Sequence, residues 1–193
     1  MLAYLFWHAP QAAIEAQDYE AALLDFQASL AGAPPPGLAA CAAYLISSVP
    51  WVDDQRIYED WYLVRSSADL DALNEAAVCP QRWDVHAAIA GKMRFGHGGL
   101  YRHLHGDEQP LAGTRAVWLT RPRGIRYEDL LRDMAYGRPG FLSSWRRQMV
   151  LGPGDEFVVI GTSRLEISPS PGWQARTAER ARLARSAPSQ TRS

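Results

Sequence analysis

The order of elements in residues 2–104 returns in shorter form from residue 115, and a chain that repeats itself can fold in few ways. LFWHAP (5–10) is answered by VWLTRP (117–122), each an aromatic run stopped by a proline that cannot carry a strand ladder onward. DYEAALL (18–24) opens a helix with Asp18 as N-cap, and Tyr19, Leu23, Phe26 and Leu30 recur at helical spacing until APPPG (33–37) ends it. Residues 127–135 read as the matching helix, and EDWYLV (59–64) aligns with DEFVVI (155–160).

Between these anchors, residues 38–48 and 57–65 read as two strands of a hairpin joined through SVPWVDDQ. Ser67 is placed to cap a helix over 68–77, a second helix covers 82–91, the Gly-rich FGHGG (95–99) ends it, and 100–104 form a last strand. The order is β-α-β-β-α-β, a ferredoxin-like unit whose sheet carries both helices on one face and leaves the other to be buried. The second copy has strands at 116–121, 144–151 and 156–162 with a turn at GPGD (152–155). It lacks a clear second helix, and 165–167 are the candidate for its last strand. The expected fold is therefore α+β: tandem ferredoxin-like repeats, the second shortened, packed sheet to sheet. The expected division is 1–106, a linker at 107–114, a second unit at 115–168 and an Arg-rich tail at 169–193, partly helical or disordered and solvated through Arg176, Arg180, Arg182, Arg185 and Arg192.

FWHAP, YEDWYLV, LNEAAV, GGLYR and WRRQMVLGP resemble the dimeric α+β-barrel superfamily, in particular a bacterial group of about this length with two units fused in tandem. The resemblance spans residues 1–168. The superfamily includes antibiotic-biosynthesis-type monooxygenases, muconolactone isomerases, chlorite dismutase-like haem proteins, ether-degradation-type proteins and stress-responsive barrels. What it implies is a dimeric-α+β-barrel-like fold with a cavity between two sheets, and it permits haem bound through a histidine.

The remaining composition narrows the partners. A net charge of −1 gives no overall basic field to draw the chain to nucleic acid or a membrane surface, and no stretch of the sequence approaches a membrane span. Cys41 and Cys79 lack the spacing of a disulfide scaffold or a CxxC site, which makes a reducing cytoplasm the expected compartment. The chain has no G-x-S-x-G elbow, HExxH or Walker loop, so hydrolase, metalloprotease and NTPase readings fall away.

Strand alternation then proposes a site. It puts Ala3, Leu5, Trp7, Trp61 and Leu63 toward the helices and sends Tyr4, Phe6, His8, Trp118 and Thr120 into the inter-sheet space, with Tyr44, Asp60 and Tyr62 beside them. His8 is the candidate general base with Asp60 orienting it, Tyr62 and Arg146 are candidates for stabilising developing negative charge, and Tyr4, Phe6, Tyr44, Trp118 and Thr120 are the candidate binding wall. His103 and His105, in an H-x-H alternation, and Asp107 are weaker candidates for a metal. The reading is a small-molecule-binding protein acting on an apolar or aromatic metabolite by proton transfer, isomerisation or cofactor-free oxygenation without a required cofactor. The alternatives are a non-catalytic ligand-binding or assembly module and a haem protein. A homo-oligomer is left open.

Overall fold

The structure is a computed structural model that describes residues 1–124, 137–168 and 171–185. The helix expected over 127–135 lies outside the described residues. Among those described, strands β1 (Leu2–Pro10), β2 (Leu38–Ile46), β3 (Ile57–Val64), β4 (Met93–Gly106), β5 (Arg115–Thr120), β6 (Phe141–Arg147), β7 (Phe157–Gly161) and β8 (Gln174–Arg182) join helices α1 (Ala16–Gly32), α2 (Asp69–Ala77) and α3 (Trp83–Ala90). The strands close into one antiparallel barrel in the order β1-β3-β2-β8-β5-β7-β6-β4. Cut at the β2–β8 and β4–β6 seams, its halves read β4-β1-β3-β2 and β8-β5-β7-β6, the same order four strands apart.

Local chemistry accounts for several boundaries. α1 begins at Ala16, which leaves Asp18 in its first turn, where a carboxylate suits the positive end of the helix, and Gly32 with the prolines at 34–36 stops it. FGHGG, expected to end a helix, lies within β4. A Cβ at Gly96 would stand 2.2 Å from the Phe6 ring, and one at Gly98 2.6 Å from the Tyr4 hydroxyl, so these glycines let two aromatic rings from β1 lie flat across the neighbouring strand. Residues 165–167 form no strand. The stretch expected as a partly helical or disordered tail instead supplies β8, which pairs with β2 on one side and β5 on the other and so closes the barrel.

An eight-stranded barrel is just wide enough for its own side chains to fill. Trp7, Trp61, Trp118 and Trp145 are all inside, with Tyr44 and Tyr101. Trp118 meets Trp7 and Trp51 edge-on at centroid separations of 5.6 and 4.9 Å. Two charges share this interior: Glu59 (0% exposed) and Arg180 (4%) pair at 3.0 Å. Glu59 also accepts hydrogen bonds from the indoles of Trp7 (2.8 Å) and Trp61 (2.7 Å), and the Arg180 guanidinium lies 3.8 Å from the Tyr44 ring centre. The arginine assigned to a solvated tail is thus a core residue that fastens β8 to β3.

The expected faces are reversed in the first half of the chain. Ala3, Leu5, Trp7, Trp61 and Leu63 point into the barrel, whereas Tyr4, Phe6 and Tyr62 pack under the helices with Tyr19, Leu23, Phe26 and Leu30. In the second half the expectation agrees with the packing, with Trp118, Val158 and Ile160 inside and Val117, Leu119, Phe157 and Val159 outside. The sequence alignment matched Phe6 to Trp118, whereas the residues that share the inward face are Trp7 and Trp118. A slip of one residue flips every side chain of a strand to the other face.

Candidate functional site

A cavity of about 400 Å³ lies between the outer face of β1 and β3 and the helices above them. Its floor is Tyr4, Phe6, Asp60 and Tyr62. Its walls are Leu23, Phe26 and Leu30 of α1, Leu70, Leu73 and Asn74 of α2, and His86, Ile89 and Ala90 of α3. Apolar residues at helical spacing would ordinarily fill such a layer; here the aromatic rings lie back over Gly96 and Gly98 and leave the space open.

Asp60, 2% exposed, is the one carboxylate in this lining. Its Oδ2 accepts a hydrogen bond from the Tyr62 hydroxyl at 2.9 Å and stands 3.4 Å from His8 Nε2, while its Oδ1 is buried with no partner. His8 is fully buried behind it, its Nδ1 2.5 Å from the hydroxyl of Tyr19 on α1. In the tautomer in which Tyr19 donates to Nδ1, the ring proton sits on Nε2, which lies near Asp60 Oδ2 without a hydrogen bond to it. Gln27 Nε2 donates to the Tyr62 hydroxyl at 3.2 Å, and Tyr58, stacked on the His8 ring, donates to Glu20 at 2.9 Å.

The phenols around Asp60 are held protonated. Burial first, and then the nearby Asp60 charge, push the Tyr4 and Tyr19 hydroxyls upward, and the same two causes push Tyr62 well upward. Burial followed by Asp60 likewise raises the Cys41 thiol to about 11. These hydroxyls are therefore donors at neutral pH, and Asp60 is the acceptor they surround.

The fold gathers Tyr4, Phe6, His8, Asp60 and Tyr62 as the sequence foresaw, but under the helices and not between the sheets. Of these, Asp60 lines the cavity and His8 stands behind it. The other candidates are elsewhere. Tyr44 and Trp118 belong to the barrel core, with the Tyr44 hydroxyl donating to the Leu111 carbonyl at 2.8 Å. Thr120 donates to Asp155 at 2.8 Å, and Arg146 sits on β6 opposite Phe157, outside the cavity lining.

A bulge in β4 between His103 and His105 breaks the alternation on which the metal reading stood. His103 pairs with inward-facing Trp145 and His105 with Ser144 on the next, outward-facing position, so the two imidazoles leave opposite faces of the sheet. Among the described residues no group of three or more His, Cys, Asp or Glu is placed to hold a metal ion. Sequence reasoning missed Tyr19, Gln27, His86 and the Glu59–Arg180 pair. A glutamate inside the apolar run IYEDWYLV was the available signal for the last of these, since a buried carboxylate requires a donor set.

An α+β barrel with a helix-covered cavity is the class that the fold and the site define. No family model and no curated protein matches the chain. Among solved structures, a candidate monooxygenase from Lactobacillus acidophilus NCFM superposes with a TM-score of 0.50 at 9% identity, covering 83% of this chain and 75% of that one. An anthrone oxidase-like protein gives 0.45 at 10% identity over 93% and 91%, and a mutant chlorite dismutase from Candidatus Nitrospira defluvii gives 0.43 at 9% over 84% and 77%. At such identities the likeness is one of fold alone.

Haem suits this lining less well than a smaller ligand does. Among the described residues the wall offers a single imidazole, His86, already packed edge-on against Phe26 at 5.6 Å, and neither Arg nor Lys to meet a propionate. Among the described residues no helix is long and apolar enough to cross a membrane.

Proposed function

We propose that the chain is two ferredoxin-like units fused end to end, and that the first unit binds a small, largely apolar or aromatic molecule beneath its helices and acts on it by proton transfer, including isomerisation. The shared strand order of the two halves supports the first statement. The second is carried by one observation: an apolar cavity lined by Asp60, whose buried carboxylate has one oxygen, Oδ1, without a hydrogen-bond partner.

The division of labour follows from the two carboxylate oxygens. Tyr62 donates to Oδ2 with His8 standing close beside it, and Oδ1, without a hydrogen-bond partner, takes a proton from a C–H or O–H of the ligand. Negative charge left on the ligand is met by the Tyr4 hydroxyl, held as a donor. His8 and Tyr19 position Asp60 and do not themselves reach the ligand.

Ala90 is exposed and stands in the wall, so a large side chain there obstructs the cavity without overfilling the core. In a thermal-shift screen of bicyclic aromatic compounds, a ligand present at about a hundred times its Kd is expected to raise the wild-type midpoint by about 5–10 °C and to lose that effect in Ala90→Trp. Hits that survive Ala90→Trp and disappear on changing the barrel interior would place binding elsewhere. A Soret shift on adding haem, abolished by His86→Ala, would favour the haem reading instead.

A further inference from the structure

The cavity wall sorts ligands by charge and by hydrogen-bonding sense. Among the described residues its single formal charge is the Asp60 carboxylate, and no Arg or Lys lines it. The nearby guanidinium that sits at the start of α3, Arg82, is committed to backbone carbonyls, those of Ser29 and Ala76 at 3.2 Å and that of Ala33. The carboxylate of the lining residue Asp60 has one buried oxygen without a partner, Oδ1, and it is an acceptor. An occupant that satisfies it brings an O–H or N–H group. An occupant with a carboxylate brings a second negative charge beside Asp60 in a poorly hydrated space, with no cation to offset it.

We propose that the cavity selects aromatic molecules that are neutral or cationic and carry a hydroxyl or amino donor, and that it rejects their carboxylates. This inference rests on the cavity reading above. A volume of about 400 Å³ suits a frame of about two or three fused rings. The donor group docks on Asp60 Oδ1, the rings lie against Phe6, Phe26 and Leu73, and Asn74 and His86 are the remaining polar groups of the wall.

The test uses the whole chain and three probes of one shape, naphthalene, 2-naphthol and 2-naphthoate, titrated at neutral pH by calorimetry or probe fluorescence. The wild-type protein is expected to bind 2-naphthol roughly tenfold more tightly than naphthalene and to bind 2-naphthoate about a hundredfold more weakly than 2-naphthol. In Asp60→Asn the advantage of 2-naphthol should shrink and 2-naphthoate should gain. Equal affinity for 2-naphthol and 2-naphthoate in the wild-type protein overturns the inference while leaving the cavity reading intact, provided naphthalene binds and Ala90→Trp blocks it. Binding of none of the three overturns the cavity reading and the selectivity with it. The wild-type series decides the matter even if the Asp60 variant does not fold.

Discussion

Replacing Arg180 by alanine is expected to lower the unfolding free energy by about 3–5 kcal/mol, measured by chemical denaturation. The side chain spends its charge inside the barrel, where Glu59 is 0% exposed and has no water to turn to. Removing the guanidinium leaves a carboxylate in an aromatic interior with only the Trp7 and Trp61 indoles as donors. It also removes the cation that covers the Tyr44 ring and detaches β8 from β3. Glu59→Ala should cost a similar amount for the mirror reason, an uncompensated guanidinium. The double change to Glu59→Met and Arg180→Met should cost much less than either single change, because desolvating two ions offsets most of what their attraction returns. A double variant that costs as much as either single change would show that the pair is a net source of stability, and strictly additive costs would show that the two residues are not coupled. A negligible cost in Arg180→Ala would show that β8 is not held by it.

The second large effect concerns chemistry. In D2O the wild-type protein is expected to accelerate deuterium uptake at the α-carbon of 2-tetralone, a neutral bicyclic carbon acid, and Asp60→Asn should reduce that acceleration by about a hundredfold or more, followed by NMR. The asparagine keeps the size of the side chain and an oxygen for the Tyr62 hydroxyl, so the cavity persists while the base is lost. His8→Phe should give a smaller loss, because the imidazole stands behind the carboxylate and touches it only through Oδ2. If His8→Phe proved the more damaging, with Asp60→Asn nearly wild-type, the roles would be those first expected from the sequence, with histidine as the base. Exchange unaffected by either change would remove proton transfer at this site.

The sequence showed which residues belong together but not which side of the sheet they occupy. Alternation groups Tyr4, Phe6 and His8 apart from Ala3, Leu5 and Trp7 whatever the fold, and it groups Asp60 with Tyr62. It is silent on which group faces inward, and the expectation that the more aliphatic set meets the helices is the reverse of the packing in β1. Physical size would have corrected it. In a closed eight-stranded barrel the interior must be filled from within, and four of the chain's tryptophans are found there. Position-by-position reading failed again at β8, where QARTAERAR has the look of a solvated tail; only Ala178 and Arg180 in it are buried, too sparse a stripe to announce a strand. The bulge that parts His103 from His105 leaves no mark in H-x-H spacing. What the sequence did carry was the stop at Pro10, the 3.6-residue stripe of α1 and the repeated order of strands.

The central claim is that ligand binds under the helices of the first half and not within the barrel. Methyl chemical-shift mapping with 2-naphthol tests it most directly, since both compartments are well supplied with methyl groups. The account predicts shifts at Leu23, Leu30, Leu70, Leu73 and Ile89, with Ile46, Leu63, Val158 and Ile160 unmoved. Shifts confined to the second set would contradict it.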